Sequence, residues 1–321
     1  MKRLWNRFKE YGVFVKNERN ISYFRLLIGY LWTFIFYGFS IKDYFIYHIY
    51  DKSALGKREF ISHRYMKRVF DKLNQDEESN KKMCDKSTYG ELFGEFTARE
   101  SFDIRNGFEG FSAFCAKCPK FIAKPIYGTC GMNVSLCEIN ENTDVKALYE
   151  KLLKDCCLCD EYVVQHPKMA TLNPSSVNTL RIITIRTKNG VKIFGATLRV
   201  GGKGNVMDNI AQGGCIAAVD SETGIVSTLG NGDYPGAKEI YVTESGVILP
   251  GFEVPFFDEA KNMAIKAADV LPNIRYTGWD IAITEKGPVL IEGNYHGMIS
   301  VMQLPNFVGQ RRRMKEIMKE V

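Results

Sequence analysis

The chain has 321 residues, 45% of them hydrophobic and 25% charged, with a net charge of +6. That is a globular composition with ample material for a core, and the length allows two or three domains. Nine cysteines, an odd number, and no opening signal peptide with a small-residue cleavage site set aside a secreted, disulfide-framed protein. They make a reduced, cytoplasmic one the expectation.

The charge is unevenly spread. Residues 1–83 carry 17 Lys and Arg against 9 Asp and Glu, and the remainder carries 26 against 28. No nucleic-acid-binding module accompanies the basic part, so a nucleic-acid partner is not expected. Residues 1–80 read as a helical region rich in Tyr and Phe, ending in the polar run DKLNQDEESNKK. Inside it, YFRLLIGYLWTFIFYGF (23–39) is apolar and aromatic except for Arg25. It falls short of the roughly 20 residues that a membrane-spanning helix needs. The first expectation is a buried helix covering one side of the remaining chain. The other is a basic, aromatic surface in peripheral contact with an anionic membrane.

Residues 81–165 mix helix with strand, loop and strand. Lys86 opens a helical segment in CDKSTYGELF. FIAKPIYGTCGMNVSL (121–136) reads as two strands around YGTCGMN. Lys124 lies within the first strand, where a bare ammonium would be costly. Gly128 and Gly131 would let backbone N–H groups approach an anion. The CxxC pairs Cys115–Cys118 and Cys156–Cys159 have a zinc-like look. Their position on strands or leading into them favours free, buried thiols instead.

Residues 166–321 are dominated by strands. TLRIITIR and VKIFGATLRV flank TKNG as a hairpin, and CIAAVD and IVSTLG flank SETG in the same way. DEAKNMAIKAADVL (258–271) has helical spacing, and residues 305–321 read as a C-terminal helix with Pro305 near its start. YTGWDIAITEKGPVLIEGN (276–294) contains two strand patterns around a turn. Centred on Lys286, that hairpin sets Ile281 against Ile291 and Ile283 against Val289. On the other face Asp280 opposes Glu292, with Asn294 on the same side. Two carboxylates at that spacing repel unless a cation lies between them. An all-oxygen set of Asp, Glu and Asn suits Mg²⁺ or Mn²⁺ rather than zinc.

A metal site of this kind implies a phosphate-bearing substrate, yet the sequence has no P-loop and no protein-kinase motif set. Lys86, the Lys124 strand with its glycine loop, CDEYVVQH (159–166) and GWDIAIT…GPVLIEGN resemble the ATP-grasp superfamily in order and spacing. LNPSSVNTLRIIT and LRVGGKGNVMDNIAQGGCIAAVD look like its branch associated with sugar transfer and polysaccharide synthesis. The likeness covers roughly residues 40–310.

The resemblance implies an α+β ATP-grasp fold in which two lobes clamp ATP, here with a helical N-terminal region. It implies that Lys86 and Lys124 contact the phosphates beneath the loop Gly128–Gly131, Thr129 included. Glu161, Tyr162 and Val163 would form the adenine edge, with Asp160 or Glu161 near the ribose. Asp280, Glu292 and Asn294 would hold the metal. Arg181, Arg199 and Arg275, all in or beside apolar strands, want a carboxylate or phosphate partner. They serve either the substrate or a structural ion pair. Asp208 and Asn209 would complete the phosphate or metal shell, and His296 would touch substrate. The implied activity is an ATP- and Mg²⁺-dependent carboxylate–amine ligase acting through an acyl phosphate. The alternatives are a phosphotransferase of the same fold and a non-catalytic, membrane-associated binding protein.

Overall fold

The computed structural model describes residues 2–127, 133–202, 204 and 213–321. The N-terminal region is helical: α1 (Lys2–Arg19), α2 (Tyr23–Tyr37), α3 (Ile41–Ile46), α4 (Ala54–Glu59), α5 (His63–Leu73) and α6 (Glu77–Cys84). Short polar side chains start these helices. Ser22 accepts from the Arg25 N–H, and Ser40 and Asp43 form a reciprocal capping box. Gly38, at φ 78°, ends α2 in the left-handed conformation that a C-terminal cap requires.

A small lobe follows α7 (Tyr89–Thr97). Its strands are β1 (Ser101–Asp103), β2 (Lys120–Pro125), β3 (Ser135–Glu138) and β4 (Cys157–Glu161), in the order β1-β4-β2-β3. Helices α8 (Phe108–Lys117) and α9 (Val145–Lys154) pack on one face, over Phe121, Ala123, Cys157 and Cys159. Alternation along the strands turns Ile122, Lys124, Leu158 and Asp160 to the opposite face. The described cysteines are free. Among the described residues no three His, Cys, Asp or Glu side chains are placed to hold a metal.

The large sheet begins after the short helix α10 (Pro167–Ala170). It contains β5 (Thr179–Thr187), β6 (Gly190–Val200), β7 (Cys215–Val219), β8 (Tyr276–Thr284) and β9 (Gly287–Asn294), ordered β7-β6-β5-β8-β9 and antiparallel throughout. One face packs on α7 and α11 (Phe257–Val270) through Leu180, Ile182, Leu198, Trp279 and Ile281. Each such side chain, fully buried, contributes roughly 1.5–3 kcal/mol. On the other face Ile183, Ile185, Phe194, Ile216 and Tyr276 join the N-terminal helices and α12 (Arg311–Met318) in a second core. Asn74, buried at the end of α5, secures that join. Its carboxamide accepts from the N–H groups of Arg275 and Tyr276 and donates to the carbonyls of Tyr276 and Tyr295.

Four expectations from sequence need correction. The β8–β9 register holds Asp280 opposite Glu292, but a bulge follows, so Ile281 faces Leu290 and Ile283 faces Pro288. The bulge sends Leu290 into the core beside Ile281 and leaves Ile291 half-buried. The SETG hairpin closes through isolated antiparallel bridges, Val219–Val226 and Ile216–Asn231, in place of a second strand. The C-terminal helix starts at Arg311, because Phe307 takes a positive φ and Gly309 presses onto the Glu59 backbone where no side chain fits. Finally, α2 is not a buried helix. Only Leu26 and Thr33 of its residues are buried.

Gly293 lies between Glu292 and Asn294, where a Cβ would stand 2.6 Å from the Trp279 ring and 2.9 Å from the Tyr89 hydroxyl oxygen. Gly293→Ala is therefore expected to cost about 1–3 kcal/mol through overpacking. Chemical denaturation of the purified variant measures this; unchanged stability would mean that the strand can shift away from Trp279.

Candidate functional site

The second face of the large sheet is apolar at one end and charged at the other. Arg181 on β5 sits directly opposite Asp280 on β8. It donates to the carboxylate through Nε and, at 2.7 Å, through Nη2. Arg199, one strand further out, reaches the same carboxylate at 2.9 Å. Asp280 is only 3% exposed. Burial alone would raise its pKa, but Arg181 and then Arg199 outweigh burial and hold it at about 2. Glu292 faces Asp280 from β9 and accepts from the Asn294 carboxamide at 3.1 Å. The strand alternation expected from sequence thus brings Arg181, Arg199, Asp280, Glu292 and Asn294 together.

A second cluster stands on the inner face of the small lobe. Lys124 lies diagonally across from Asp160, and its ammonium meets that carboxylate at 2.6 Å. Ser101 donates to the other carboxylate oxygen at 2.7 Å. Asp160 is buried, which opposes ionisation, yet Lys124 and then Arg99 keep its pKa well below the usual carboxylate range. Arg99 has a side chain only 6% exposed and also spans to the large sheet. It donates to the carbonyls of Leu290 at 2.6 Å and Ile291 at 3.2 Å, at the β9 bulge. One guanidinium therefore ties the small lobe to the strand that carries Glu292.

The small-lobe cluster lines a cleft. Lys86, Tyr89, Arg99, Lys124, Leu158 and Asp160 are among its lining residues. The half-buried Lys86 ammonium donates to the Pro125 carbonyl at 2.9 Å. Burial pulls its pKa down, and it feels the charges of Glu292, Lys124 and Asp160. The buried Tyr89 hydroxyl lies beside the Gly293 backbone and feels Glu292, Arg99 and Asp280. Lys86, just before α7, thus feels charge from both lobes.

Residues 61–319 match the model of the sugar-transfer associated ATP-grasp family. The chain belongs to that family. It has the ATP-grasp fold, preceded by a helical N-terminal region. No curated protein matches the sequence. Among solved structures it is similar to the ATP-grasp ligase PsnB, in complex with a phosphomimetic precursor variant, Mg and ADP. That match has 15% identity and a TM-score of 0.47, covering 80% of this chain and 66% of PsnB. It is also similar to purK, N5-carboxyaminoimidazole ribonucleotide synthetase, in its ADP complex, at 13% identity and a TM-score of 0.46. Coverage there is 75% of this chain and 53% of the other. A RimK domain ATP-grasp protein from Sphaerobacter thermophilus matches at 11% identity and a TM-score of 0.42, with coverage of 73% and 70%. The chain thus spans less than two thirds of the length of PsnB and about half that of purK.

The other ATP-grasp positions expected from sequence fall as follows. Gly128, Thr129, Gly131, Asp208 and Asn209 lie outside the described residues. At the end of β4, Glu161 accepts from the Glu100 N–H, and the Tyr162 ring lies under Lys120 at 4.6 Å. Val163 follows, half-buried. Asp160 is engaged by Lys124, Arg99 and Ser101. Arg275 is not brought to the cluster. It precedes β8 at its far end, five residues from Asp280 and so about 16 Å along the strand. His296 is an exposed residue whose ring lies 4.6 Å from that of Phe70. Sequence reading missed Arg99, Tyr89 and Ser101, because their partners lie on other strands, far along the chain.

The buried Asp280 predicts an acid response. Its folded pKa lies below that of an unfolded aspartate, about 3.9. The unfolded chain therefore binds the proton first, and the stabilisation is present above pH 4 and lost as pH falls toward 2. Asp280→Asn removes the carboxylate that faces the buried Arg181 guanidinium and is expected to cost about 3–5 kcal/mol at neutral pH. Urea denaturation across pH should show this deficit shrinking below pH 4. A constant deficit would contradict the ionised state of Asp280.

Proposed function

We propose that the chain is an ATP- and Mg²⁺-dependent carboxylate–amine ligase. On this reading it activates a small or sugar-linked carboxylate as an acyl phosphate and joins it to an amine. The setting is cytoplasmic, in assembly of a cell-surface polysaccharide such as a capsule, which the family's association with sugar transfer supports. The observation that carries the chemistry is Lys86, which lines one cleft with Lys124 and feels the charge of Glu292.

The donor set fits a hard cation. Glu292 uses one oxygen on Asn294, and the carboxylate of Asp280, with about four lone-pair sites, keeps one beyond the three that its two arginines engage. Mg²⁺ takes only one or two carboxylates and draws its other ligands from phosphate and water. Glu292 and Asn294, with Asp280 behind them, would hold it, and when bound it would neutralise phosphate charge during transfer. Mn²⁺ satisfies the same donors. Lys86, Lys124 and the loop 128–131 would bind the ATP phosphates, and Glu161 to Val163 the adenine. Arg199 and Arg181 line the sheet where the substrate carboxylate approaches, so their charge offsets its own. Asp208, Asn209 and His296 are proposed as substrate contacts, with Arg275 farther from Asp280.

Turnover with panels of carboxylates and amines should give ADP, inorganic phosphate and an amide in equal amounts. AMP would exclude an acyl phosphate. A phosphorylated alcohol formed with no amine requirement would make the chain a phosphotransferase. ATP binding without turnover of any acceptor would favour a non-catalytic binding protein. Glu292→Gln keeps shape and removes charge, so turnover should fall by at least about 10²-fold, the scale of one lost charge-stabilising contact, with little change in melting temperature. Lys124→Ala should abolish measurable ATP affinity in calorimetry of the folded protein; unchanged affinity would remove Lys124 from the phosphate site.

A further inference from the structure

We propose that α2, flanked by α1, docks the protein in plane on an anionic lipid bilayer. This inference rests on the N-terminal helices alone and is independent of the reaction. α2 has two unlike sides. Leu26 and Thr33 are buried in the N-terminal core, and the Tyr30 ring packs against Phe8 and Tyr44. The opposite side leaves Phe24 73%, Ile28 53%, Leu31 46%, Trp32 58%, Ile35 60% and Phe36 61% exposed. At about 100° per residue these six occupy one continuous arc of the helix. Their rings adjoin, with Trp32 and Phe36 centred 4.2 Å apart. A face this apolar, already seated on the protein by its other side, calls for an apolar partner.

Charge and length identify that partner. Residues 1–39 contain seven Lys and Arg against two Glu, and α2 has no acidic residue. The basic groups border the apolar face. On α1, Lys16 lies 5.2 Å from the Tyr23 ring at the start of α2. Arg25 is exposed at the N-terminal end of the same arc, beside Phe24 in sequence. At the other end Arg64 donates to the carbonyls of Phe34 and Ile35 and lies over the Phe34 ring. Aromatic and aliphatic side chains bounded by lysine and arginine suit the headgroup level of an anionic bilayer, whose surface attracts each cation. Protein interfaces, in contrast, are depleted in lysine. The 15 residues of α2 extend about 22 Å, short of the roughly 30 Å hydrocarbon core. No helix among the described residues is long and apolar enough to cross a membrane. The helix therefore lies along the surface.

The test is co-sedimentation of the full chain with phosphatidylcholine vesicles, with and without phosphatidylglycerol. The chain should bind the anionic vesicles, bind neutral ones weakly and be released by salt. Tryptophan emission should shift to the blue on binding, since Trp5 and Trp32 are exposed while Trp279 is buried. The double variant Trp32→Asp, Ile35→Asp should lose at least about tenfold in partitioning, because two apolar anchors no longer enter the interface. Its melting temperature should not fall, since both positions are exposed. Lys9→Glu with Lys16→Glu should weaken binding to anionic vesicles only. Absence of wild-type binding, or equal binding by the double aspartate variant, would overturn the proposal. So would an α2-dependent dimer that leaves vesicles unbound.

Discussion

Asp280 is a carboxylate sealed inside a β-sheet, and such a charge is tolerated only when paired and hydrogen-bonded. Its two arginines come from β5 and β6, so one ion cluster fixes the relative position of three strands. The cluster also divides the sheet face. Beyond it the same strands turn apolar, at Ile183, Ile185 and Tyr276, and the N-terminal helices cover them. The polar end carries Arg181, Arg199 and Asp280. There Glu292 and Asn294, on the neighbouring strand β9, project beside an already neutralised Asp280.

A second buried carboxylate does the same for the small lobe. Asp160 gathers Lys124, Arg99 and Ser101, and Arg99 extends the set to the bulged backbone of β9. The bulge is thus structural at both ends: it admits Leu290 to the core and frees carbonyls for Arg99. Arg99 ties the small-lobe cluster to the backbone of the strand that carries Glu292. The small-lobe cluster lines a cleft of this ATP-grasp chain, where Lys124, Arg99 and Asp160 are held by contacts that do not depend on a ligand.

Sequence showed most where periodicity decides. The two-residue period of β8 and β9 placed Asp280 opposite Glu292 and Asn294 on their side, and the alanine spacing of residues 260–268 found the buried face of α11. It failed where one residue changes the outcome. The inserted Ile291 shifts the turn half of the hairpin, and nothing in VLIEGN distinguishes a bulge from a regular strand. Arginines in apolar strands signalled a need for counter-charge, but not that Arg181 and Arg199 share Asp280. Arg99 gave no signal, since its partners lie 61 and 191 residues away. For α2, composition suggested burial, whereas the sheet and the other helices offer a surface for only one of its sides.

The central claim is that both clusters serve one nucleotide–metal site. It is tested most directly by crystals of the full chain grown with ADP and Mn²⁺, using the anomalous signal of manganese. The account predicts a manganese peak bound to Glu292 and Asn294, with the phosphates reaching Lys86 and Lys124. Nucleotide found elsewhere, or manganese away from Glu292 with the cleft empty, would contradict it.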